Sequence, residues 1–382
     1  MKNPYCIIAK PIGPICNLSC DYCFYLSKRK IYPDKNNFKM DEEVVETFIR
    51  DYIDQDSEEI VFIWQGGEPT LLGVEFFKKV VDLQKKHSNG KHIKNSIQTN
   101  GTLIDEEWAS FFKENEFLVG LSLDGPEEMH NIYRKYKNGE GSFKKVIEGL
   151  NILYDYNVDF NILCSVNNIN VKYPKDIYEF FKEYGKTNYW QFIPIVERNS
   201  DNSMASFSVP PEAFGRFLVN IFKRWVKRDV GKISIQLFDC AFNIIMGKGP
   251  SVCIFSEICG FAPALEHNGD LYFCDHFVDK NYLIGNILNQ PLKELVYSKR
   301  QRNFGELKVQ IPKQCIDCDV KIFCNGECPK NRFIITENEI APSNYLCDAY
   351  KMFYTYARSY IIKISNDLSK GISLSNIIRE FK

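Results

Sequence analysis

The sequence contains no long apolar run and no excess of either charge. No stretch of 18 or more apolar residues occurs, so no membrane-spanning helix is expected. The 382-residue chain has 48 Lys and Arg against 49 Asp and Glu, a formal net charge of -1. This balance gives no reason to expect nucleic acid or an acidic membrane surface as a partner. Hydrophobic residues make up 45% of the chain and charged residues 25%, which is typical of a globular protein with room for two or three modules.

An apolar export signal is also missing from the opening residues, MKNPYCIIAKP. The sequence therefore predicts a cytoplasmic protein, in a compartment that keeps thiols reduced. In that compartment, the fourteen cysteines are more often metal ligands than disulfide partners. Cys6, Cys164 and Cys240 stand among apolar or β-like neighbours, and we predict that they are buried packing thiols.

The most informative motif is C-N-L-S-C-D-Y-C, which places Cys16, Cys20 and Cys23 just after a short apolar run. Three closely spaced thiolates suit a 4Fe-4S cluster that has one iron without a protein ligand. Such an iron can bind and activate a small molecule, whereas a fully ligated cluster only transfers electrons. A zinc site made of these three cysteines and a distant fourth ligand is the alternative.

Strands and helices alternate through the first two-thirds of the sequence. Apolar or β-branched runs predict six strands: Cys6–Lys10, Ile60–Trp64, Ile93–Gln98, Phe117–Leu123, Val158–Val166 and Tyr189–Ile195. Helical spacing is found near residues 41–55, 74–87, 105–115, 142–156 and 173–184. The alternation predicts an α/β fold, a partial (β/α)6 barrel whose site forms at the carboxyl ends of the strands. The cysteine triplet follows the first of these strands.

Glycine-rich or polar motifs follow the next three predicted strands. They are W-Q-G-G-E-P-T, with Gly67 and Glu68, then Q-T-N-G-T, with Asn100, and then L-S-L-D-G-P, with Ser122 and Asp124. Each of them could be an ordinary turn. Alternatively, the paired glycines let the backbone approach a ligand closely, and the polar groups point into the mouth of the barrel.

Together these motifs resemble the anaerobic sulfatase-maturating enzymes, a family of the radical S-adenosyl-L-methionine (SAM) superfamily. The resemblance spans almost the whole chain and includes the strings CNLSCDYCFY, FIWQGGEPTL, NSIQTNGTLID and FLVGLSLDGP. It implies that a cluster on Cys16, Cys20 and Cys23 binds SAM and generates a 5′-deoxyadenosyl radical. The implied reaction oxidises a Cys or Ser side chain in a C-x-P-x-R or S-x-P-x-R type motif of a sulfatase to Cα-formylglycine.

The resemblance also implies a SAM site. In this interpretation Tyr22 lies near the adenine and Gly67 near the methionine part of SAM. Ser122 and Arg134 bind the ribose and carboxylate regions, because a guanidinium pairs with a carboxylate through two hydrogen bonds. A surface arginine in a loop is the alternative for Arg134. Val196 falls where relatives can carry Leu, and it is the fifth cofactor-binding candidate.

Eight further cysteines lie between residues 253 and 347. Their spacing, C-x5-C-x14-C and then C-x2-C-x5-C-x3-C-x18-C, predicts two four-cysteine sites for zinc or iron–sulfur. The pattern resembles a SPASM domain with two auxiliary 4Fe-4S clusters. The resemblance implies a first set of Cys253, Cys259, Cys274 and Cys328, and a second set of Cys315, Cys318, Cys324 and Cys347. The predicted domains are a radical SAM barrel, 1–235, and a small Cys-rich SPASM domain, 236–382, with a C-terminal helix near 344–364.

Asp275 directly follows a cluster cysteine, on a predicted hairpin whose turn is Asn-Gly. The resemblance implies that Asp275 is the general base of the reaction. A solvated turn aspartate is one alternative, and His276 is the rival base because its ordinary pKa lies near neutrality. The same resemblance implies that Tyr25 and Gln65 face the substrate peptide.

The implied partners are an unmodified sulfatase polypeptide and a small electron donor such as ferredoxin or flavodoxin, with a monomer as the expected state. Two other functions remain open. One is another SPASM-type peptide modifier that forms a thioether or carbon–carbon crosslink, although the first strand begins too early for a preceding peptide-recognition domain. The other is a non-enzymatic, zinc-stabilised binding module. Residues 197–208 are polar and predict a mobile loop.

Overall fold

The structure is a computed structural model that describes residues 5–32, 38–335 and 341–381. The chain forms two compact units. The first is drawn from residues 1–122, 130–160 and 260–305, and the second from residues 123–129, 161–259 and 306–382. None of the helices in the described ranges is long and apolar enough to cross a membrane.

The strands in the described residues are β1 Ile8–Lys10, β2 Glu59–Trp64, β3 His92–Thr99, β4 Phe117–Ser122, β5 Phe160–Val166, β6 Tyr189–Pro194, β7 Ser234–Ile235, β8 Ala264–Glu266, β9 Asp270–Tyr272, β10 Leu283–Asn286, β11 Arg332–Ile334 and β12 Ser343–Asn344. The helices are α1 Glu42–Ile53, α2 Val74–His87, α3 Glu106–Glu114, α4 Glu127–Tyr133, α5 Phe143–Asp155, α6 Pro174–Tyr184, α7 Pro211–Arg228, α8 Gln236–Ile245, α9 Leu292–Val296, α10 Lys299–Glu306, α11 Lys313–Ile316, α12 Lys321–Cys324, α13 Cys347–Ser369 and α14 Leu374–Arg379.

The predicted α/β architecture is confirmed. The six predicted strands are β1 to β6, and the five predicted helices are α1, α2, α3, α5 and α6. The predicted C-terminal helix is α13, which continues to Ser369. Sequence reasoning did not predict α4, α7 to α12 or α14.

A sheet forms the centre of the first unit, in the strand order β10-β9-β8-β1-β2-β3-β4. Strands β1 to β4 and β8 pair in parallel, whereas β9 pairs antiparallel with both of its neighbours, β8 and β10. Alternate residues of β2, such as Phe62 and Trp64, are fully buried, and both contact Phe48 of α1 with ring centroids 5.5 and 5.9 Å apart. Helix α1 begins after Asp41, whose carboxylate accepts the N–H of Val44 at 3.0 Å. The packing of α1 against β2 holds the parallel strands in place, so that their carboxyl ends have fixed positions.

A hairpin from the later part of the chain completes the edge of this sheet. Strand β8 pairs in parallel with β1, so that Ile8 lies opposite Ala264 and Lys10 opposite Glu266. The turn to β9 uses Gly269 at a φ of +86°, a conformation that favours glycine. The predicted hairpin is therefore present, and it brings the chain that follows β9 into the first unit.

The second unit contains the parallel strands β5, β6 and β7. Helices α7 and α13 pack together in this unit, where Phe222 of α7 contacts Phe353 of α13 with a centroid distance of 5.8 Å. Hydrogen bonds close the segment 197–208, since Asn199 N–H donates to the Ser203 carbonyl at 2.8 Å. The loop that sequence reasoning described as mobile is thus tied across its middle.

The prediction for the three packing thiols is correct at two positions and wrong at one. Cys164 and Cys240 are buried, whereas Cys6 is half-buried. Burial alternates along the extended chain before β1, and Tyr5 and Ile7 occupy the buried positions on either side of Cys6.

Candidate active site and cysteine clusters

The cysteine triplet lies on the loop that leaves β1 in the first unit. All three thiols are half-buried. The Cys23 N–H donates to the Cys20 carbonyl at 3.0 Å, and the Leu18 N–H donates to the Cys16 Sγ at 3.4 Å. The loop is thus folded by its own backbone into a compact turn that presents three sulfur atoms.

The G-G-E-P segment pairs with this loop through backbone hydrogen bonds. The Gly67 N–H donates to the Gly13 carbonyl and the Glu68 N–H donates to the Ile15 carbonyl, both at 2.8 Å. A Cβ atom on Gly67 would lie only 1.9 Å from the Ile15 carbonyl oxygen. The close approach of the two backbones therefore requires glycine at position 67, which an ordinary turn would not.

Glu68 connects the same segment to the carboxyl end of β3. It is fully buried, and its Oε1 accepts hydrogen bonds from the Thr70 N–H at 3.1 Å and the Thr99 hydroxyl at 2.7 Å. Its Oε2 accepts the Asn100 N–H at 2.7 Å. Burial raises the pKa of the Glu68 carboxyl, and these donors act in the opposite direction. Within the first unit, this acid holds two loops in a fixed register.

The loop after β3 also reaches the cysteine triplet. The Asn100 Nδ2 donates to the Asn17 Oδ1 at 2.8 Å and lies 3.7 Å from the Cys16 Sγ. Burial, and to a lesser extent Glu68, raises the pKa of the Cys16 thiol to about 11. Because a metal ion deprotonates a coordinating thiol outright, an iron cluster would supply the cation that this thiolate needs. The donor set fits such a cluster.

Tyr22 and Arg134 lie together beside the triplet. The Arg134 guanidinium carbon is 5.5 Å from the centre of the Tyr22 ring, and both side chains are buried. The ring of Tyr133, at the end of α4, meets the Tyr22 ring edge-on at 5.7 Å. The Ser142 hydroxyl donates to the Arg134 carbonyl at 2.9 Å and contacts the His130 Nε2 at 3.0 Å. This fixed backbone and the burial argue against a surface arginine.

The two remaining cofactor candidates lie in different units. Ser122 is the last residue of β4 and is buried in the first unit. Val196 follows β6 and is buried in the second unit. The structure therefore brings Tyr22, Gly67 and Arg134 to the cysteine loop, and the roles of all five cofactor candidates, Tyr22, Gly67, Ser122, Arg134 and Val196, stay predictions.

A buried lysine that sequence reasoning missed contacts both Asp275 and Gln65. Lys10 ends β1, and its side chain is 1% exposed. The Lys10 Nζ forms an ion pair with the Asp275 carboxylate and donates to the Gln65 Oε1 at 2.9 Å. The Gln65 Nε2 in turn donates to the Gln98 Oε1. The only sequence signal for this contact was a lysine at the end of an otherwise apolar strand.

Tyr25 is the aromatic neighbour of this ion pair. The Lys10 Nζ lies 4.4 Å from the centre of the Tyr25 ring, and the Tyr25 hydroxyl donates to the Glu266 Oε1 at 2.5 Å. Burial, followed by the nearby Glu266 carboxylate, raises the pKa of Tyr25 well above its usual value. The phenol therefore stays protonated at neutral pH and can act as a hydrogen-bond donor.

The cysteines of the predicted second auxiliary set all lie in the second unit. Cys315 is on α11, Cys318 is between helices, Cys324 ends α12 and Cys347 begins α13. Burial raises the pKa of the Cys347 thiol to about 11, and Cys315 and Cys318 add to the rise. Burial also raises the pKa of Cys324, with a further contribution from Cys347. The Cys347 thiol therefore lies within electrostatic reach of the other three thiols of this set.

The predicted first auxiliary set is divided between the units. Cys253, Cys259 and Cys328 belong to the second unit and Cys274 to the first. Burial raises the pKa of Cys259, whereas Lys308 lowers it and Cys253 raises it. Across the described residues, no three His, Cys, Asp or Glu side chains converge on the position of one metal ion.

Comparison with known proteins places these features in one family. The sequence profile of the Radical SAM superfamily matches residues 11–181, and that of the SPASM iron-sulfur cluster-binding domain matches residues 259–319. The first match contains the cysteine triplet, the G-G-E-P segment and Arg134. The second contains Asp275 and several of the auxiliary cysteines.

Similar proteins cover nearly the whole chain. The chain is 44% identical to the serine-type anaerobic sulfatase-maturating enzyme of Bacteroides thetaiotaomicron, over all of this chain and 96% of the relative. It is 36% identical to the cysteine-type enzyme of Clostridium perfringens, over 96% and 99% of the two chains. Among solved structures it is similar to native anSMEcpe with bound AdoMet and the Cp18Cys peptide, with a TM-score of 0.86, 35% identity and coverage of 96% and 100%. The chain therefore belongs to the anaerobic sulfatase-maturating enzymes, with the α/β fold of a radical SAM domain followed by a SPASM domain.

Proposed function

We propose that this protein oxidises a Cys or Ser side chain of an unmodified sulfatase polypeptide to Cα-formylglycine. The observation that carries the proposal is the loop of Cys16, Cys20 and Cys23, which is hydrogen-bonded to the G-G-E-P segment and to Asn100 in the first unit. The solved relative with AdoMet and a Cys peptide supports a peptide substrate. A C-x-P-x-R or S-x-P-x-R type motif is the proposed target.

Three cysteines and the SAM residues form the proposed cofactor site. Cys16, Cys20 and Cys23 would hold a 4Fe-4S cluster, which with SAM would supply the radical chemistry needed to remove a hydrogen atom from the substrate β-carbon. Gly67 is the proposed contact of the methionine part, and its lack of a side chain lets the G-G-E-P backbone lie directly against the Ile15 backbone. The remaining proposed SAM contacts are Tyr22, Ser122, Arg134 and Val196.

Asp275 is the proposed acceptor of the proton that leaves the substrate SH or OH. The Lys10 ammonium fixes the position of its carboxylate, and the Gln65 amide oxygen accepts from the same ammonium and holds it in place. The Tyr25 hydroxyl is held by Glu266, which keeps the ring against Lys10. In this arrangement the Asp275 carboxylate is held in one orientation and faces the substrate. The proposed proton transfer runs from the substrate heteroatom to one of the Asp275 carboxylate oxygens.

The eight later cysteines are proposed to hold two auxiliary 4Fe-4S clusters in the sets given above. Lysine and arginine side chains among them suit anionic, thiolate-ligated clusters. A small electron donor such as ferredoxin or flavodoxin is the proposed source of electrons. We further propose that the enzyme acts as a cytoplasmic monomer, with its barrel in residues 1–235 and its SPASM domain in residues 236–382.

Mass spectrometry of matched peptides tests the function. Peptides that carry C-x-P-x-R, S-x-P-x-R and A-x-P-x-R are incubated anaerobically with reconstituted full-length protein, SAM and a reductant. We expect an aldehyde in the Cys peptide, the Ser peptide or both, and no change in the Ala peptide or with a Cys16→Ala variant. Release of 5′-deoxyadenosine with every peptide unchanged would assign the chain to another peptide modification. The absence of both products, with clusters verified, would refute the mechanism.

Replacing Lys10 by Met is expected to reduce aldehyde formation by roughly 10- to 100-fold, because Asp275 loses the group that orients it. The change is measured as separate effects on kcat and KM, and we expect the loss mainly in kcat. Thermal unfolding reports the accompanying destabilisation, since the variant leaves a part-buried carboxylate without its cation.

Lys79→Met is the matched control for Lys10→Met. Lys79 pairs with Glu42 on the surface, where both side chains are mostly exposed, and such a pair contributes little to the stability of the fold. We expect nearly wild-type turnover from this variant. Wild-type turnover from Lys10→Met would remove Lys10 from the proposed machinery.

A further inference from the structure

Arg332, the first residue of β11, uses its whole guanidinium to hold one cysteine-bearing loop of the second unit. The side chain is half-buried. Its Nε donates to the Gly326 carbonyl at 2.9 Å, and its Nη2 donates to the carbonyls of Asn325 at 3.0 Å and Glu327 at 3.1 Å. These three residues are the ones that separate Cys324 from Cys328. The guanidinium is therefore enclosed by the chain between two predicted cluster ligands.

The same guanidinium reaches a second cysteine-bearing segment through Lys308. The Arg332 Nη1 donates to the Lys308 carbonyl at 2.7 Å. Lys308 is fully buried, and its Nζ donates to the carbonyls of Cys253 at 2.9 Å and Ile254 at 2.8 Å. Two cations thus link the segment of Cys253 to the loop between Cys324 and Cys328.

Arg332 lies within electrostatic reach of thiols from both predicted sets. Burial lowers the pKa of Arg332, whereas Cys315, Glu327, Cys328 and Cys324 raise it, in that order. Cys328 belongs to the first set, and Cys315 and Cys324 to the second. An arginine keeps its proton at any physiological pH, so this charge is fixed.

Glu327 is the acidic residue that interacts electrostatically with Arg332. It is buried, its Oε1 accepts from the Asn331 Nδ2 at 3.3 Å, and its Oε2 accepts from the Asn344 Nδ2. Both carboxylate oxygens therefore act as acceptors. The carboxylate opposes the charge of Arg332, and its removal should have the opposite electrostatic effect.

We propose that the fixed charge of Arg332 raises the reduction potential of the auxiliary clusters, so that they accept the electron that the substrate radical loses. A positive charge in a poorly solvated site stabilises the reduced, more negative cluster. The step is balanced, because one electron leaves the substrate carbon radical as its heteroatom proton is removed, and one auxiliary cluster is reduced by one electron. The inference rests on the proposed function for its biological meaning, but the potential itself can be measured without substrate.

A redox titration followed by electron paramagnetic resonance tests the proposal. Full-length protein with Cys16, Cys20 and Cys23 all replaced by Ala is reconstituted anaerobically, so that only auxiliary signals remain. In this background we expect Arg332→Gln to shift the midpoint potential to more negative values. A tenfold change in the ratio of reduced to oxidised cluster, the size we expect, corresponds to about 59 mV for one electron.

Two controls separate charge from loop geometry. Arg332→Lys keeps the charge and loses the fork of donors, and we expect a potential close to that of the parent protein. Lys313→Gln removes an exposed charge two residues before Cys315, where water and salt screen it, and should leave the potential unchanged. A shift in Arg332→Lys as large as that in Arg332→Gln would refute a charge effect. An unchanged potential in iron-loaded Arg332→Gln would do the same.

If Arg332→Gln fails to load iron, Glu327→Gln tests the proposal with the opposite sign. This variant preserves side-chain size and removes the negative charge, so a shift to more positive potential supports the proposal and an unchanged potential overturns it. Neither titration uses SAM or peptide. A failed peptide conversion would therefore refute the proposed substrate without affecting this result.

Discussion

Replacing Asp275 by Asn is expected to lower formylglycine formation by about 100- to 10,000-fold, the usual contribution of a positioned base. The amide has nearly the size of the carboxylate and its oxygen can still accept from Lys10, which Gln65 holds, but it cannot take the proton from the substrate SH or OH. SAM cleavage does not require this proton transfer. We therefore expect 5′-deoxyadenosine release to continue, so that the ratio of aldehyde to 5′-deoxyadenosine falls. Both products are quantified by mass spectrometry from the same reaction.

His276→Gln is the matched control, because this residue directly follows Asp275 and is the rival base. In the structure its ring packs against Phe24 at a centroid distance of 5.7 Å. We expect aldehyde formation within a few-fold of the parent protein. The opposite pattern, a large loss in His276→Gln and little change in Asp275→Asn, would transfer the role of base to the histidine.

Replacing Gly67 by Ala is expected to abolish SAM-dependent activity. The new Cβ would lie 1.9 Å from the Ile15 carbonyl oxygen, a distance that no side chain can adopt. Either the G-G-E-P segment or the backbone before Cys16 must move, which breaks the paired hydrogen bonds from Gly67 and Glu68. We expect loss of SAM binding and a lower iron content, measured by equilibrium dialysis with labelled SAM and by iron analysis.

Gly73→Ala separates this overlap from the general cost of losing a glycine. Gly73 follows the same segment at a φ of +79°, and a Cβ there meets no atom within 4 Å. With a ψ of 161°, this backbone lies in a region that is essentially restricted to glycine and costs roughly 1–3 kcal/mol for another residue. We expect a modest fall in thermal stability with SAM binding intact. Normal SAM binding in Gly67→Ala would show that the loop can relax, and that position 67 does not require glycine.

Local patterns were sufficient to predict the framework of the first unit. The strands alternate in burial or form apolar runs, and the helices between them carry side-chain caps such as Asp41 and Asp105. The Asn-Gly turn predicted the hairpin at Gly269 because only a few residue pairs adopt that turn. These signals depend only on residues that are close in sequence, so they can be interpreted without knowledge of the tertiary contacts.

Contacts between distant residues were not predictable in this way. The ion pair between Lys10 and Asp275 depends on the pairing of β1 with β8, and no periodicity in either segment encodes that pairing. The burial of Glu68 under the end of β3 is of the same kind. Helix α7 was missed because its segment lay outside the regular alternation of predicted strands and helices.

The parallel pairing of Ile8 with Ala264 has a consequence for synthesis of the protein in the cell. At about 5–20 residues per second, the ribosome needs roughly 12–50 s to make the partner of β1. During this time β1 emerges with one edge unpaired, and an unpaired edge invites pairing with other chains. Its length of three residues keeps that exposed edge short. The strand that leads into the cysteine triplet is thus made early and completed late, since its second edge stays open until synthesis has passed Glu266.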